Sequence, residues 1–277
     1  MTPGQRAAWQ ALGLGPVWVR RETAAAAGAQ TLALSPEGLP AEPAETRRAP
    51  AQPAPIEPAP ALRVPAAAPP PQAAQADADA GLPVMADWAS LQESVRACER
   101  CGLCRSRQQT VFGSGSPSAP WLIVGEAPGA EEDLRGEPFV GQAGRLLDAM
   151  LAAIGLDRSR DVFITNVLKC RPPGNRNPEP EEVARCAPFL RRQIELLAPT
   201  GILVMGRFAA QALLETDASV AGLRNRVHRY AVGGAELPLV VTYHPAYLLR
   251  NPADKAKAWA DLCLALARLP RQRPAAV

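Results

Sequence analysis

Aromatic side chains make up only 5% of the 277 residues, and residues 23–84 contain none. That stretch is rich in proline instead: 15 of the chain's 30 prolines fall within residues 1–84. Without large apolar side chains a segment cannot offset the entropy of ordering itself. Residues 23–84 are therefore expected to be a disordered Ala/Pro-rich linker, extended and partly polyproline-like. Histidine is scarcer still, with only His228 and His244 in the whole chain, so any role that needs an imidazole falls to one of two residues. No apolar run approaches the roughly 18 residues that span a bilayer, and the first residues have no apolar core of the secretory kind. The expectation is a cytoplasmic protein with no membrane contact. Charge of one sign is not in great excess either, at 30 Lys+Arg against 27 Asp+Glu. That excludes a histone-like polycation and leaves room for a local basic face. Neither a G-x-x-x-x-G-K-[ST] loop nor a G-x-G-x-x-G after a strand is present, which argues against a nucleotide-binding α/β domain.

Residues 1–22 form a short peptide with Trp9, Leu12, Leu14 and Trp18 as its apolar members. It reads equally as a docking motif for a protein partner or as a short helix packed on its own domain. From residue 85 to 277 the chain is long enough for one domain with a real core. Continuous apolar runs at Trp121–Val124, Val162–Val167, Ile202–Met205 and Leu239–Tyr243 predict four strands covered on both faces. Between and after them, helical spacing predicts helices at Leu146–Ile154, Glu181–Leu197, Phe208–Glu215 and Asp254–Leu269. Strand–helix alternation predicts an α/β fold: a single three-layer domain with a central, mostly parallel four-stranded sheet and helices on both faces.

Open parallel sheets bind ligands beyond the carboxyl ends of their strands. Here those ends run into Gly125-Glu126-Ala127-Pro128-Gly129, into Asn166 followed by Lys169-Cys170-Arg171-Pro172-Pro173-Gly174, into Gly206-Arg207, and into His244-Pro245. Polar, Gly- and Pro-rich turns thus converge on one rim. Of six cysteines, Cys98, Cys101 and Cys104 are spaced too closely for ordinary disulfides, and in a reducing compartment clustered thiolates bind metal. Two thiolates from that loop and two from distant positions would hold either zinc or an iron–sulfur cluster. Cys263, flanked by Leu262 and Leu264, reads as a packed core thiol.

Five motifs occur in order: Val111-Phe112-Gly113-Ser114-Gly115; Gly125-Glu126-Ala127-Pro128-Gly129 with Glu132-Asp133; Pro138-Phe139-Val140-Gly141; Asn166 through Asn175; and His244-Pro245-Ala246. As an ordered set they resemble the family 4 uracil-DNA glycosylases, the bacterial and archaeal type with a [4Fe–4S] cluster. The resemblance covers about residues 88–270. It implies the uracil-DNA glycosylase-like fold and hydrolysis of the N-glycosidic bond of deoxyuridine in DNA, a monofunctional step of base excision repair that leaves an abasic site. It also implies cluster ligands at Cys98, Cys101, Cys170 and Cys186, with Cys104 a free thiol beside them, and Arg171, Arg176 and Arg185 on a surface fixed by the cluster and able to meet phosphate.

An everted uracil must leave as an anion, so the pocket has to stabilise negative charge on the base and position a water. By the resemblance, His244 donates to uracil O2. Phe139 offers a stacking face, and the Asn166 amide matches uracil O4 and N3–H while opposing the reversed pattern of cytosine. The place of a water-orienting aspartate is taken by Ala127, which leaves Glu126, Glu132 and Asp133 as the nearby acids. Glu132 is favoured for water positioning or for excluding the thymine methyl group, and the Gly125 and Ala127 backbone is expected to approach the base closely. Arg207 and Arg250 are expected DNA contacts, Leu249 is the expected wedge filling the gap left by the flipped base, and Leu248 stands next in line. The Arg224, Arg226 and Arg229 group reads either as a solvated loop or as a phosphate contact. The expected partner is uracil-containing DNA, single- or double-stranded, met by a monomer at the nucleoid. A docking peptide on a tether keeps a second class open: a non-catalytic, iron–sulfur DNA-binding or polymerase-associated module.

Overall fold

A computed structural model describes residues 85–271; the expectations for residues 1–22 and 23–84 lie outside the described residues. The chain enters through Met85 and Ala86, whose carbonyls accept hydrogen bonds from Arg192 at 2.7 and 2.9 Å. Helix α1 (Trp88–Arg96) follows, opened by a reciprocal Asp87–Ser90 cap. A short 3₁₀ turn at Gly102–Arg105 leads to strand β1 (Ser114–Gly115) and then β2 (Trp121–Gly125). Next come α2 (Ala130–Arg135), α3 (Gln142–Ala153), β3 (Val162–Asn166), α4 (Pro180–Leu197), β4 (Gly201–Met205), α5 (Arg207–Leu214), α6 (Val220–Leu223), β5 (Val227–Val232), β6 (Ala235–Thr242), α7 (Pro245–Arg250) and α8 (Lys255–Arg268).

The four strands expected from apolar runs form the parallel centre of the sheet, in the order β3-β2-β4-β6. Their residues alternate between two apolar layers. Trp121, Ile123, Ile164, Leu203 and Val240 face α3 and α8, whereas Leu122, Val124, Phe163, Val204 and Val241 face α1, α4 and α5. With both faces buried, the usual polar alternation disappears, and the runs read as continuously apolar.

The sheet has six strands rather than four. Two antiparallel edge strands, β1 against β3 and β5 against β6, complete it. Strand β1 is two residues long and has no pattern to read. Strand β5 alternates exposed and half-buried residues as an edge strand should, and Gly233 and Gly234, both at positive φ, turn it into β6. That Gly-Gly pair between alternating residues is a hairpin signal; the arginines beside it made the segment look like a loop.

Two further expectations change with the fold. Cys263 is exposed. The buried stripe of α8 is Ala258, Asp261, Leu262 and Ala265, and the residue after Leu262 turns about 100° away from it. The arginine group is a set of local pairs: Arg224 bonds Asp261 at 2.9 Å, Arg229 bonds Glu236 at 3.1 Å, and Arg226 bonds the Gly222 carbonyl. His228 contacts the Leu223 carbonyl through Nε2 at 2.7 Å.

Candidate active site

The carboxyl ends of the four parallel strands open onto a cleft of ≈ 760 Å³. Sheet register sets its floor. Gly125 and Asn166 are direct partners across β2 and β3, so the two motifs that end those strands lie side by side. On the other half, Met205 pairs with Thr242 and the Gly206 amide donates to the Thr242 carbonyl at 2.9 Å. This brings Gly206-Arg207 beside Tyr243-His244. Glu126, Ala127, Glu132, Phe139, Asn166, Arg207, His244 and Arg250 all line the cleft. Gly125 shapes it from behind: a Cβ there would stand 2.4 Å from Asn166 Oδ1 and 2.6 Å from Phe139 Cζ. Only hydrogen at that position lets the two side chains approach.

His244 is half-buried at the mouth of α7. Its Nδ1 accepts the Ala246 amide at 3.2 Å, so the neutral ring carries its proton on Nε2. Burial, with Arg250 adding repulsion, pushes the imidazole down from 6.5 to about 4. The folded chain thus holds His244 neutral in the window between those values, where an unfolded histidine binds a proton. That difference favours unfolding increasingly as pH falls from 6.5 towards 4, and nothing changes above 6.5. An NMR titration should accordingly find the His244 ring neutral at about pH 5.5, one unit below the ordinary histidine value. A midpoint near 6.5 would show that the ring is solvated.

Phe139 is 6% exposed and sits at φ 55°, a left-handed backbone uncommon for an aromatic residue. Two side chains hold it there. Arg158 donates to the Phe139 carbonyl at 3.0 Å and also to the Pro138 carbonyl, while pairing with Asp148 at 3.1 Å. Glu132 Oε1 accepts the Val140 and Gly141 amides at 2.9 and 3.1 Å. Gly144 completes the seat, because a Cβ there would overlap the Phe139 carbonyl. The Phe139 ring lies 5.4 Å from the His244 ring, tilted by 32°.

Asn166 is 1% exposed, and its Oδ1 has no hydrogen-bond partner among the described residues. A buried amide oxygen facing a cleft without a partner is an unmet acceptor. Glu126 also faces the cleft with no hydrogen bond to its carboxylate among the described residues; burial raises its pKa and Arg207 opposes that rise.

The relatives are now informative. The family model described as the uracil DNA glycosylase superfamily matches residues 112–263. The chain belongs to that superfamily. It is 45% identical over 170 residues to the type-4 uracil-DNA glycosylase of Archaeoglobus fulgidus, covering 59% of this chain and 85% of that one. It is 42% identical over 182 residues to the type-4 uracil-DNA glycosylase of Pyrobaculum aerophilum, covering 64% and 92%. With that of Saccharolobus solfataricus it shares 41% identity over 167 residues, covering 58% and 77%.

In this superfamily member, three placements depart from the sequence reading. Leu248 is 1% exposed and packs in the core layer with Met150 and Leu262, so it is not available as a wedge. Its neighbour Leu249 is 41% exposed, because one step along α7 rotates a side chain from core to solvent. Glu132 has one carboxylate oxygen committed to the Phe139 turn. Arg176, expected to meet phosphate, is engaged by Glu182 at 2.5 Å and by Glu179 at 3.3 Å. Sequence reasoning missed Arg158 altogether. Nothing local marks it, since its partners lie ten to forty-four residues away. Tyr243 and Tyr247, stacked at 4.9 Å along one wall, were also passed over.

Behind Asn166 lies a second, smaller cavity. Cys98, Cys101, Cys104, Cys170 and Cys186 surround it, with Arg107 and Lys169. Among the described residues, no three His, Cys, Asp or Glu side chains converge as a single metal ion requires. Burial pushes the Cys170 thiol up to about 11, against the opposing effect of Arg107, which donates to its sulfur at 3.1 Å. It pushes Cys186 up to about 12.

Proposed function

We propose that the chain is a monofunctional uracil-DNA glycosylase. It hydrolyses the bond between uracil N1 and deoxyribose C1′ in an everted nucleotide and leaves an abasic site. The observation that carries this reading is one cleft in which a neutral imidazole with its donor on Nε2, an aromatic face and an unsatisfied amide oxygen meet. Phe139 stacks on the base, a contact worth about 1–3 kcal/mol in comparable sites. The Asn166 amide presents Oδ1 to N3–H and its Nδ2 to O4 of uracil, and cytosine opposes that pattern. As the glycosidic bond lengthens, charge grows on O2, and His244 Nε2–H donates to it. A donor that stays neutral keeps its proton, stabilises the anion and acquires no charge of its own. Glu126, rather than Glu132, faces C1′ and water: its carboxylate has no hydrogen bond among the described residues, whereas Glu132 holds the Phe139 turn. Arg207 and Arg250 on the rim meet phosphate, and Leu249 enters the stack where the base has left. In this reading it acts as a monomer on DNA at the nucleoid in the cytoplasm.

Cys98, Cys101, Cys170 and Cys186 would hold a [4Fe–4S] cluster. The donor chemistry supports this: five thiols gather around one small cavity, beside a buried lysine that has no carboxylate partner among the described residues. Such a cluster would cross-link the loop after α1 to Cys170 and to α4, and would bring negative charge there. Cys170→Ser is expected to remove most of the brown visible absorbance and to lower the thermal midpoint. A colourless wild-type protein containing zinc would overturn the assignment.

The decisive assay is a uracil-bearing oligonucleotide incubated with the protein, then treated with alkali. Strand cleavage at the uracil position is expected. DNA binding with an intact strand after alkali would instead support a non-catalytic module.

A further inference from the structure

Lys169 is 1% exposed, among the most deeply buried large side chains of the domain. A buried ammonium is normally paired with a carboxylate, because desolvating a lone charge is expensive. Lys169 has no such pair among the described residues. Its three protons go to neutral oxygens: Thr165 Oγ1 at 2.7 Å, the Asn166 carbonyl at 2.7 Å and Gln193 Oε1 at 2.6 Å. Those acceptors are themselves fixed, since Thr165 and Gln193 both donate to the Phe112 carbonyl at 2.8 and 2.9 Å. The groups that face Lys169 from the nest are the thiols of Cys170 and Cys186, which carry the opposite charge only as thiolates. The same residue therefore lines the cysteine nest and grips the peptide of the base-reading asparagine.

We propose that Lys169 is a positioning residue that couples the two sites: its ammonium balances the net negative charge of the thiolate-bound cluster and, from that anchored place, holds the Asn166 main chain where its amide meets uracil. The proposal rests on the cluster and glycosylase readings above. It explains why the charge survives in a dry interior, and why the cysteine nest stands directly behind the pocket. The Asn166 side-chain oxygen needs a rigid backbone, having no hydrogen bond of its own among the described residues. Lys169 supplies it from within the same strand end.

Lys169→Met in the cluster-loaded enzyme keeps most of the length of the side chain and removes the charge. Two results are expected together. The reduction potential of the cluster moves to a more negative value, because a buried positive charge that favours the reduced form has gone. Turnover of a uracil oligonucleotide falls about tenfold in kcat with KM nearly unchanged, a size typical of coupling through a packed network. If that variant does not fold, Lys169→Met with Gln193→Leu replaces donor and acceptor together, which buried sites tolerate better, and the same two readouts apply. An unmoved potential overturns the proposal, as does a shifted potential with wild-type kcat. Neither result touches the underlying readings, whose own failure would show in the wild-type protein as an absent cluster or an uncleaved uracil strand.

Discussion

His244→Ala is expected to slow uracil release by about 10²–10³-fold, some 2.7–4 kcal/mol of transition-state stabilisation, which is the usual cost of losing one donor to a developing oxyanion. The affinity for uracil-containing DNA should change little. His244 lies at the cleft rather than on the arginine-bearing rim, and its donor matters only once charge has moved onto the base. A second consequence must be separated from the first. The imidazole caps α7 through the Ala246 amide, and losing a side-chain cap costs about 1 kcal/mol of stability. His244→Asn restores a capping acceptor on a shorter side chain that does not reach the base. It should recover the thermal midpoint and leave the rate low. Single-turnover kinetics beside a binding titration checks both statements. A parallel loss of rate and affinity in both variants would make His244 a structural residue and would remove the central step of the mechanism.

Gly125→Ala should produce a loss of about 10²-fold in kcat from a single methyl group. The backbone at this position is ordinary extended strand and accepts alanine without conformational strain. The obstruction is local: the new Cβ would meet Asn166 Oδ1 at 2.4 Å and Phe139 at 2.6 and 2.8 Å. Both neighbours are pocket side chains, and both must move. Phe139 has little freedom, because Arg158 and Glu132 hold its turn from two sides. Asn166 is the easier to displace, so the reading edge shifts first. A displacement near 1 Å in a positioning group costs about two orders of magnitude in rate. The thermal midpoint should fall by far less than for a cavity in the core, since every strand bond of β2 survives. Measuring kcat and melting temperature on the same preparation decides the matter. A near-normal rate with a broken fold would place the importance of Gly125 in the sheet rather than in the pocket.

These two expectations draw on different kinds of information. The identity of His244 as a candidate came from the family resemblance of the His244-Pro245-Ala246 motif, with only one other histidine in the chain to weigh against it. The reason Gly125 matters came from coordinates. The same division holds more widely. Four parallel strands were readable because burial on both faces turns each into an uninterrupted apolar run, and their Gly- and Pro-rich ends marked the rim where the cleft lies. The ordered motifs marked the superfamily, to which the comparison with relatives assigns the chain. Edge strands escaped notice, one being too short to carry a pattern and the other laced with arginines.

What composition and periodicity determined, then, was which segments are buried and which ends are polar, because hydrophobic patterning is a property of neighbouring residues. Tertiary structure alone decided which polar groups are already spoken for. Leu248 and Leu249 differ only by rotation about a helix axis. Glu132 is committed to two amides eight and nine residues away, Arg158 clamps a turn nineteen and twenty residues upstream, and Lys169 finds its acceptor on Gln193 twenty-four residues downstream. A hydrogen bond depends on distance and angle between groups that the chain brings together only after it has folded. No local pattern carries that geometry.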